Sequence, residues 1–310
     1  MYDIIVIGGG PAGLTAALYG ARAGKKTLVL EGETPGGQIS FAPRVDNYPG
    51  LPGMNGAKFG QTLCAQAREL GAEYRNEEAT LVEPAGPLFE VTTRKGKYTA
   101  LSVVLATGVT PRKLGLPGED GLIGQGLSYC AVCDGAFYQG APVAVVGGGD
   151  TALQDALFLS ERCSEVTVIH RRSEFRGAQS LQDQLRERGN VHYLMNCTVE
   201  KLNAGPEGLR GLIVRNKETG AEQELSVEGL FVAVGNEPRK KIFSGGPSTD
   251  SAGYLLARED CTTDCPGVFA AGDCRVKTVR QVTTAVCDGA LAGLAACSYV
   301  DGHRPGQAKG

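Results

Sequence analysis

Apolar and glycine positions follow the same order in two parts of the chain. Residues 4–31 align without a gap with residues 143–170, so that Gly8 falls on Gly147. In each segment an apolar run leads into a glycine-rich loop, a helical pattern follows, and a second apolar run closes the segment. This order predicts one βαβ unit in each segment, because buried parallel strands read as apolar runs on either side of a helix.

The rest of the pattern extends both units into sheets. An apolar run that ends in Ala106-Thr107-Gly108 predicts a further strand for the first unit, and residues 230–235 supply the matching strand of the second. A last strand is predicted over residues 267–273. The predicted helices cover residues 14–23, 57–70, 153–162 and 281–300. The fold class is therefore α/β, with two Rossmann-like three-layer domains, the second inserted into the first.

Both glycine loops have the context that a dinucleotide site requires. The first reads Gly8-Gly-Gly-Pro-Ala-Gly13 and the second Gly147-Gly-Gly-Asp-Thr-Ala152, each between a strand and a helix. Glycine lets the backbone approach a pyrophosphate closely, and the N-terminus of the helix offers N–H groups with a partial positive charge. The alternative is that one of the loops is only a turn that holds no nucleotide.

The two units differ at the end of their second strand, where the ribose is recognised. The first ends in Glu31, which can accept hydrogen bonds from free ribose hydroxyls, as in FAD. The second has His170 there, followed by Arg171, Arg172 and Arg176, a set that suits the 2′-phosphate of NADPH. A solvated basic face is the alternative. We therefore predict an FAD domain over residues 1–114 and 245–310, and an NADPH domain over 115–244.

A pair of cysteines with two residues between them precedes the second glycine loop. Cys130 and Cys133 are followed by Asp134. At a helix start the dipole favours thiolate, so that the pair suits redox chemistry, and a carboxyl beside it can carry protons. The alternatives are half of a zinc site and, for Asp134, a helix cap. Zinc needs two more ligands, and Cys261 with Cys265 is a distant pair of wider spacing, so we predict no metal site.

Charge, apolar stretches and cysteine content indicate the expected partners and location of the protein. The net charge of −3 gives no reason to expect a nucleic-acid partner. The first strand begins near Tyr2, which leaves no room for a signal peptide, and we expect no apolar stretch long enough to cross a bilayer. Ten cysteines, mostly single, fit free thiols in a reducing compartment. The expected location is the cytoplasm.

Taken together, these motifs resemble the bacterial low-molecular-weight, flavin-dependent thioredoxin reductases over nearly the whole chain. Beyond the two glycine loops and the cysteine pair, the resemblance includes short motifs in the same order. These are Gly36-Gly-Gln38, Asn47-Tyr-Pro-Gly50, Ala106-Thr-Gly108, His170-Arg-Arg172, Gly267-Val-Phe-Ala-Ala-Gly-Asp273 and Arg280-Gln281. The resemblance implies FAD and NADPH as cofactors, a thioredoxin-like partner and a homodimer.

The resemblance also implies residue roles. Cys133 would lie against the flavin, Cys130 would attack the partner's disulfide, and Asp134 would be the acid–base group. The residues implied to bind FAD are Gly8, Gly10, Pro11, Ala12, Gly13, Glu31, Gly37, Gln38, Asn47, Ala106, Thr107, Gly108, Gly272, Asp273, Arg280, Gln281 and Val282. Those implied to bind NADPH are Gly149, Asp150, Thr151, His170, Arg171, Arg172 and Arg176. No role is implied for Cys261, Cys265, Cys274 and Cys287.

Three other functions are compatible with this fold. Some relatives draw electrons from ferredoxin or use oxygen as acceptor, but they lose the NADPH motifs that are intact here. Others deliver electrons to a peroxidase-type thiol protein, usually through an extra N-terminal dithiol module. A non-enzymatic flavin or nucleotide sensor would leave Cys130 and Cys133 without a purpose.

Overall fold

The protein is described from a computed structural model that covers residues 1–42, 45, 47–239 and 242–303, without the side chains of Phe41 and Cys133. The chain forms two compact units. The first combines Met1–Thr110 with Glu237–Gly310, and the second is Pro111–Asn236.

A mostly parallel sheet forms the centre of the first unit. Its strand order is β3-β2-β1-β6-β5-β4, and β17 also pairs with β6. Strands β1, β2, β3, β6 and β17 run parallel, whereas β4 and β5 form an antiparallel extension. The strands are β1 (Tyr2–Ile7), β2 (Thr27–Glu31), β3 (Glu73–Asn76), β4 (Ala79–Ala85), β5 (Leu88–Thr93), β6 (Lys97–Leu105) and β17 (Val268–Ala270). The short strands β7 (Val109–Pro111) and β16 (Asn236–Pro238) pair with each other.

The helices of the first unit are α1 (Pro11–Arg22), α2 (Gly56–Glu69) and α7 (Val282–His303). From the sequence we expected no apolar stretch long enough to cross a bilayer, and that expectation was wrong. Among the described residues, α7 is long enough and apolar enough to cross one, judged by its length and composition alone. Its buried residues include Ala292, Ala296 and Val300, which belong to the core beside α1. This burial is what a core helix requires.

The second unit repeats the plan around an all-parallel sheet of order β11-β10-β9-β15-β8. A separate antiparallel sheet has the order β12-β13-β14. The strands are β8 (Leu127–Ser128), β9 (Pro142–Gly147), β10 (Glu165–His170), β11 (Val191–Met195), β12 (Cys197–Gly205), β13 (Gly208–Asn216), β14 (Glu222–Leu225) and β15 (Gly229–Ala233). The helices are α3 (Glu119–Leu122), α4 (Ala131–Asp134), α5 (Asp150–Ser160) and α6 (Gln179–Arg186).

The boundaries of the units differ from those that we predicted. Residues 237–239 and 242–244 belong with the first unit, because the N–H of Val82 donates to the carbonyl of Ile242 and that of Ser244 to the carbonyl of Val82. Phe243 also packs in the core of the first unit. At the other crossing, Leu114 packs in the core of the second unit. No strand or helix was predicted at these positions, whereas the backbone of residues 242 and 244 pairs with a strand of the first unit.

Candidate active site

A cavity of about 720 Å³ opens at the carboxyl ends of the parallel strands of the first unit. This edge of an open parallel sheet is where such folds bind nucleotides. The predicted residues that line it are Gly8, Gly10, Pro11, Ala12, Glu31, Gly37, Gln38, Ala106, Thr107, Gly108, Gly272, Asp273, Arg280, Gln281 and Val282. The cavity has the size of a cofactor site.

Packing explains two of the glycines in the first loop. Gly8 has a φ of +109°, and a Cβ there would lie 2.2 Å from the carbonyl oxygen of Ala106. A Cβ at Gly13 would lie 1.9 Å from the carbonyl oxygen of Gly8, so Gly13 serves helix packing and lies outside the cavity lining. A Cβ at Gly10 would meet only the carbonyl oxygen of Gly36, at 3.9 Å, and Gly10 precedes Pro11, the first residue of α1. The N-terminus of α1 therefore faces the cavity without a side chain in the way.

Glu31 is held by the loop that it faces. Its carboxylate accepts hydrogen bonds from the N–H of Gly9 at 2.5 Å and from that of Glu33 at 2.9 Å. Although Glu31 is buried, it still lines the cavity. A carboxylate oxygen accepts more than one hydrogen bond, so capacity remains for ribose hydroxyls.

The side chain of Asp273 indicates whether the cavity suits a flavin nucleotide. Its Oδ1 is buried without a hydrogen-bond partner among the described residues, although Asp273 lines the cavity. Burial raises the pKa of the carboxyl, and the charges of Lys277 and Arg280 oppose that rise. An unsatisfied buried oxygen is costly, and a ligand hydroxyl would satisfy it. The residues present therefore fit a hydroxyl-bearing nucleotide.

The structure reveals lining residues that the sequence did not point to. Glu237, Pro238 and Arg239 line the cavity, and the guanidinium of Arg239 lies 2.8 Å from a carboxylate oxygen of Glu33. Conversely, Asn47 lies outside the lining and donates to Gln281 at 2.8 Å. Arg239 lies outside every strand and helix predicted from the sequence, so its local pattern did not point to this contact.

The second glycine loop repeats the geometry of the first. A Cβ at Gly147 would lie 2.3 Å from the carbonyl oxygen of Ala233, as Gly8 meets Ala106. At Gly148 a Cβ would lie 2.2 Å from the ring of His170. His170 therefore contacts the second glycine of its loop, just as Glu31 contacts Gly9 in the first.

His170 is a buried residue beneath the loop. Its Nε2 lies 3.0 Å from the carbonyl oxygen of Glu174, and its ring lies 5.4 Å from that of Phe175. Burial lowers the pKa of His170, so the neutral ring is favoured. Whether it also touches a nucleotide stays a prediction.

The segment after β10 is tied to the same loop. The N–H groups of Arg176 and Gly177 donate to the carbonyl of Gly148, and Asp150 accepts from the N–H of Ala178 at 2.7 Å. Arg171, Arg172, Arg176 and Thr151 are exposed. No ion pair between described residues uses these three arginines. The guanidinium groups are thus available for a phosphate.

Substitution of Gly149 should weaken the binding of NADPH without destabilising the fold. A Cβ at Gly149 meets nothing within 4 Å, so we expect Gly149→Ala to leave the melting temperature within about 2 °C of the original. A methyl group at the N-cap of α5 would obstruct a pyrophosphate, so the KM for NADPH should rise about 10-fold. Gly121→Ala, also in open space, is the control. An unchanged KM in Gly149→Ala would remove the second loop from the binding site.

A third feature, in the second unit, is the loop that carries the cysteine pair. Cys130 is disulfide-bonded. Its pairing with Cys133 stays a prediction, since the side chain of Cys133 lies outside the described residues. Cys130 directly precedes α4, and Cys133 lies within its single turn, which begins at Ala131.

Ser128, which the sequence analysis did not single out, organises this loop. Its Oγ donates to Oδ2 of Asp134 at 2.6 Å and accepts from the N–H of Cys130 at 3.0 Å. The N–H of Asp134 in turn donates to the carbonyl of Cys130 at 3.1 Å. Asp134 is thereby held beside the backbone of Cys130. Serine two residues before a cysteine gives no signal of this role in the sequence.

The other described cysteines differ from this pair. Burial raises the pKa of each of seven thiols, to about 12 for Cys261. These residues are Cys64, Cys163, Cys197, Cys261, Cys265, Cys274 and Cys297. Cys287 is exposed. Thiols that stay protonated are poor nucleophiles and poor metal ligands. Within the described residues, no group of three His, Cys, Asp or Glu side chains could hold a metal ion.

Comparison with known proteins places this geometry in a family. Residues 2–289 match the family described as pyridine nucleotide-disulphide oxidoreductase. The chain belongs to that family. Members combine a flavin and a pyridine nucleotide, so the chain is a flavoprotein oxidoreductase of the α/β type predicted from its sequence.

The chain is similar to individual relatives over nearly the full length of both. The chain is 41% identical to a thioredoxin reductase of Peptoclostridium acidaminophilum, with 98% of each chain covered. It is 40% identical to one of Listeria monocytogenes, covering 97% of this chain and 94% of that one. The crystal structure of Lactococcus lactis thioredoxin reductase superposes with a TM-score of 0.89 at 35% identity, covering 97% of this chain and 100% of that one. The predicted fold class and family resemblance are confirmed.

Proposed function

We propose that this protein is an NADPH-dependent thioredoxin-disulfide reductase with FAD as its resident cofactor. Electrons would pass from NADPH through FAD to a disulfide between Cys130 and Cys133, and from there to thioredoxin. The observation that carries the proposal is the disulfide at Cys130, held beside Asp134 in a chain with two dinucleotide loops. The thioredoxin reductase relatives, at about 40% identity over the full length, support thioredoxin as the acceptor.

The residues of the first unit would hold the flavin nucleotide. A flavin held there would supply the transfer of two electrons between a pyridine nucleotide and a disulfide. Glu31 would accept hydrogen bonds from the ribose hydroxyls, the N-terminus of α1 would face the pyrophosphate, and Asp273 would accept from a further hydroxyl. In the second unit, Arg171, Arg172 and Arg176 would surround the 2′-phosphate.

The cysteines would carry the second half of the reaction. Two electrons and two protons convert the disulfide of the protein into two thiols. Cys130 thiolate would then attack the disulfide of thioredoxin and form a mixed disulfide, while the released thioredoxin sulfur takes a proton. Cys133 would attack Cys130 of that mixed disulfide, so that the disulfide of the enzyme forms again and reduced thioredoxin leaves. Asp134, fixed by Ser128, would move the proton.

The test is a steady-state assay of thioredoxin reduction with NADPH, run in parallel with NADH and with reduced ferredoxin. We expect turnover with NADPH and little with either other donor. Turnover that depends on ferredoxin would contradict the choice of donor. A yellow protein that oxidises NADPH without reducing thioredoxin would contradict the choice of acceptor.

An exposed aromatic residue near the dithiol offers a contact for a protein partner. Phe137 is 85% exposed and lies three residues after Asp134. Large exposed aromatic side chains are frequent anchors of protein interfaces. We therefore expect Phe137→Ala to raise the KM for thioredoxin about 5- to 30-fold, the range that a loss of one to two kcal/mol gives.

The controls for this variant use a smaller acceptor and another exposed residue. Reduction of DTNB, an aryl disulfide too small to need the ring, should stay unchanged in Phe137→Ala. Ile123→Ala, which removes a half-exposed apolar residue of the same unit, should leave both activities unchanged. Equal losses with thioredoxin and with DTNB would show that Phe137 supports the loop rather than the partner.

The proposal also includes a cytoplasmic homodimer that binds neither nucleic acid nor membrane. Exposed apolar residues on α7, Leu291 and Leu294, support a protein contact on that face. The net charge of −3 supports the absence of a nucleic-acid partner.

A further inference from the structure

A buried carboxylate on α7 holds two cations next to the flavin cavity. Asp288 is 4% exposed. Its Oδ2 accepts from Nε of Arg275 at 2.9 Å and from Nζ of Lys277 at 2.8 Å. Both cationic side chains are themselves largely buried, at 13% and 9% exposure. A buried charge needs such pairing, because its desolvation is otherwise uncompensated.

The same carboxylate fixes the segment that leads into the cavity. The N–H of Gly272 donates to Oδ2 of Asp288 at 3.0 Å. Gly272 has a φ of +79°, and the chain turns there from β17 into the short 3-10 helix Gly272–Cys274. This turn, which the sequence did not predict, brings Asp273 into the lining of the cavity. Asp288 therefore acts on the residue immediately before Asp273.

Asp273 is a second acid on which the charge of Lys277 acts. Its Oδ1 is buried without a hydrogen-bond partner among the described residues, and Lys277 is the cation that lowers the pKa of its carboxyl most. A lysine on a four-carbon stem pairs with whichever carboxylate is available, particularly where water is excluded. Asp288 and Asp273 thus compete for the ammonium group of Lys277.

We infer that Asp288 is a positioning residue that keeps Asp273 open for the flavin nucleotide by holding Lys277 away from it. This inference rests on the proposed function, in which Asp273 accepts from a cofactor hydroxyl. Asp288 does not line the cavity and acts only through Asp273 and its neighbours.

The first experiment measures FAD affinity. Asp288→Asn keeps the size of the side chain and releases both cations, so Lys277 should pair with Asp273. We expect the dissociation constant of FAD, measured by flavin fluorescence on adding FAD to the apoprotein, to rise about 10- to 100-fold. Lys277→Met alone should leave the dissociation constant of FAD within about 3-fold of the original, because Arg275 still pairs with the charge of Asp288. Unchanged FAD affinity in Asp288→Asn would overturn the inference.

The decisive comparison uses two double variants of equal charge. One combines Asp288→Asn with Lys277→Met, and the other combines Asp288→Asn with Arg275→Gln. Each retains one cation, so the two should fold similarly even if Asp288→Asn alone does not. The inference expects the variant without Lys277 to bind FAD close to normally, and the variant that retains Lys277 to bind it about 10-fold more weakly or worse. Equal affinities would mean that Asp288 only stabilises the fold, and would overturn the inference.

The outcome is separable from that of the proposed function. If the unaltered protein does not bind FAD, the proposed cofactor is wrong, whatever the variants do. If it binds FAD and reduces thioredoxin while the two double variants bind FAD equally, only the role of Asp288 is wrong.

Discussion

Cys130→Ser should abolish thioredoxin reduction while the protein still oxidises NADPH at its flavin. A serine oxygen cannot form the disulfide or the mixed disulfide, so kcat/KM for thioredoxin should fall by at least about 1,000-fold. Reduction of the flavin by NADPH needs neither sulfur, so its rate in anaerobic stopped-flow absorbance should stay within about 3-fold of the original. Cys133→Ser should give the same pair of results.

The matched control is another exposed cysteine. Cys287 is a free, exposed thiol on α7, and Cys287→Ser should leave both reactions unchanged. Sustained thioredoxin turnover by Cys130→Ser would show that another thiol carries the reaction. Loss of flavin reduction in the same variant would show instead that the substitution disturbs more than the dithiol.

Charge reversal at Arg171 should raise the KM for NADPH much more than the KM for NADH. The guanidinium is exposed beside the second glycine loop and forms no ion pair among the described residues, so a 2′-phosphate is its natural partner. A charge-assisted hydrogen bond contributes about 1.5–3 kcal/mol, so Arg171→Glu should raise the KM for NADPH about 10- to 150-fold. NADH lacks the phosphate, and its KM should change about 3-fold or less.

An arginine elsewhere on the same unit controls for net charge. Arg210 is exposed on β13, and its nearest acid is Glu207 at 3.6 Å. Arg210→Glu changes the total charge by the same amount and should leave both KM values unchanged. If Arg171→Glu weakens NADPH and NADH equally, the arginine does not recognise the 2′-phosphate.

Local patterns predicted the two sheets and their loops because each requirement lies within a few residues. The run into Gly8 and the run into Gly147 are strands, and each glycine meets a carbonyl that leaves no space for a Cβ. The contrast between Glu31 and His170 was also visible, because the alignment of the two repeats puts both at the end of a second strand. Periodicity and glycine spacing carry this information directly.

Long-range contacts could not be predicted in the same way. Asp288 acts through a hydrogen bond to Gly272, which an adjacent element brings near, and an aspartate in a helix is not unusual. No strand or helix was predicted directly after Glu237, whereas the carbonyl of Ile242 accepts a hydrogen bond from the N–H of Val82 in a distant strand. Such pairings depend on tertiary structure, which overrides the local signal.

The most direct test is an anaerobic titration of the purified protein with NADPH, followed by absorbance. Two redox centres in series take up four electrons, so the account predicts that roughly two equivalents of NADPH per chain are consumed, and roughly one in Cys130→Ser. Adding oxidised thioredoxin to the reduced protein should then return the flavin absorbance. An unaltered protein that accepts only one equivalent, or whose reduced flavin does not respond to thioredoxin, would contradict the account.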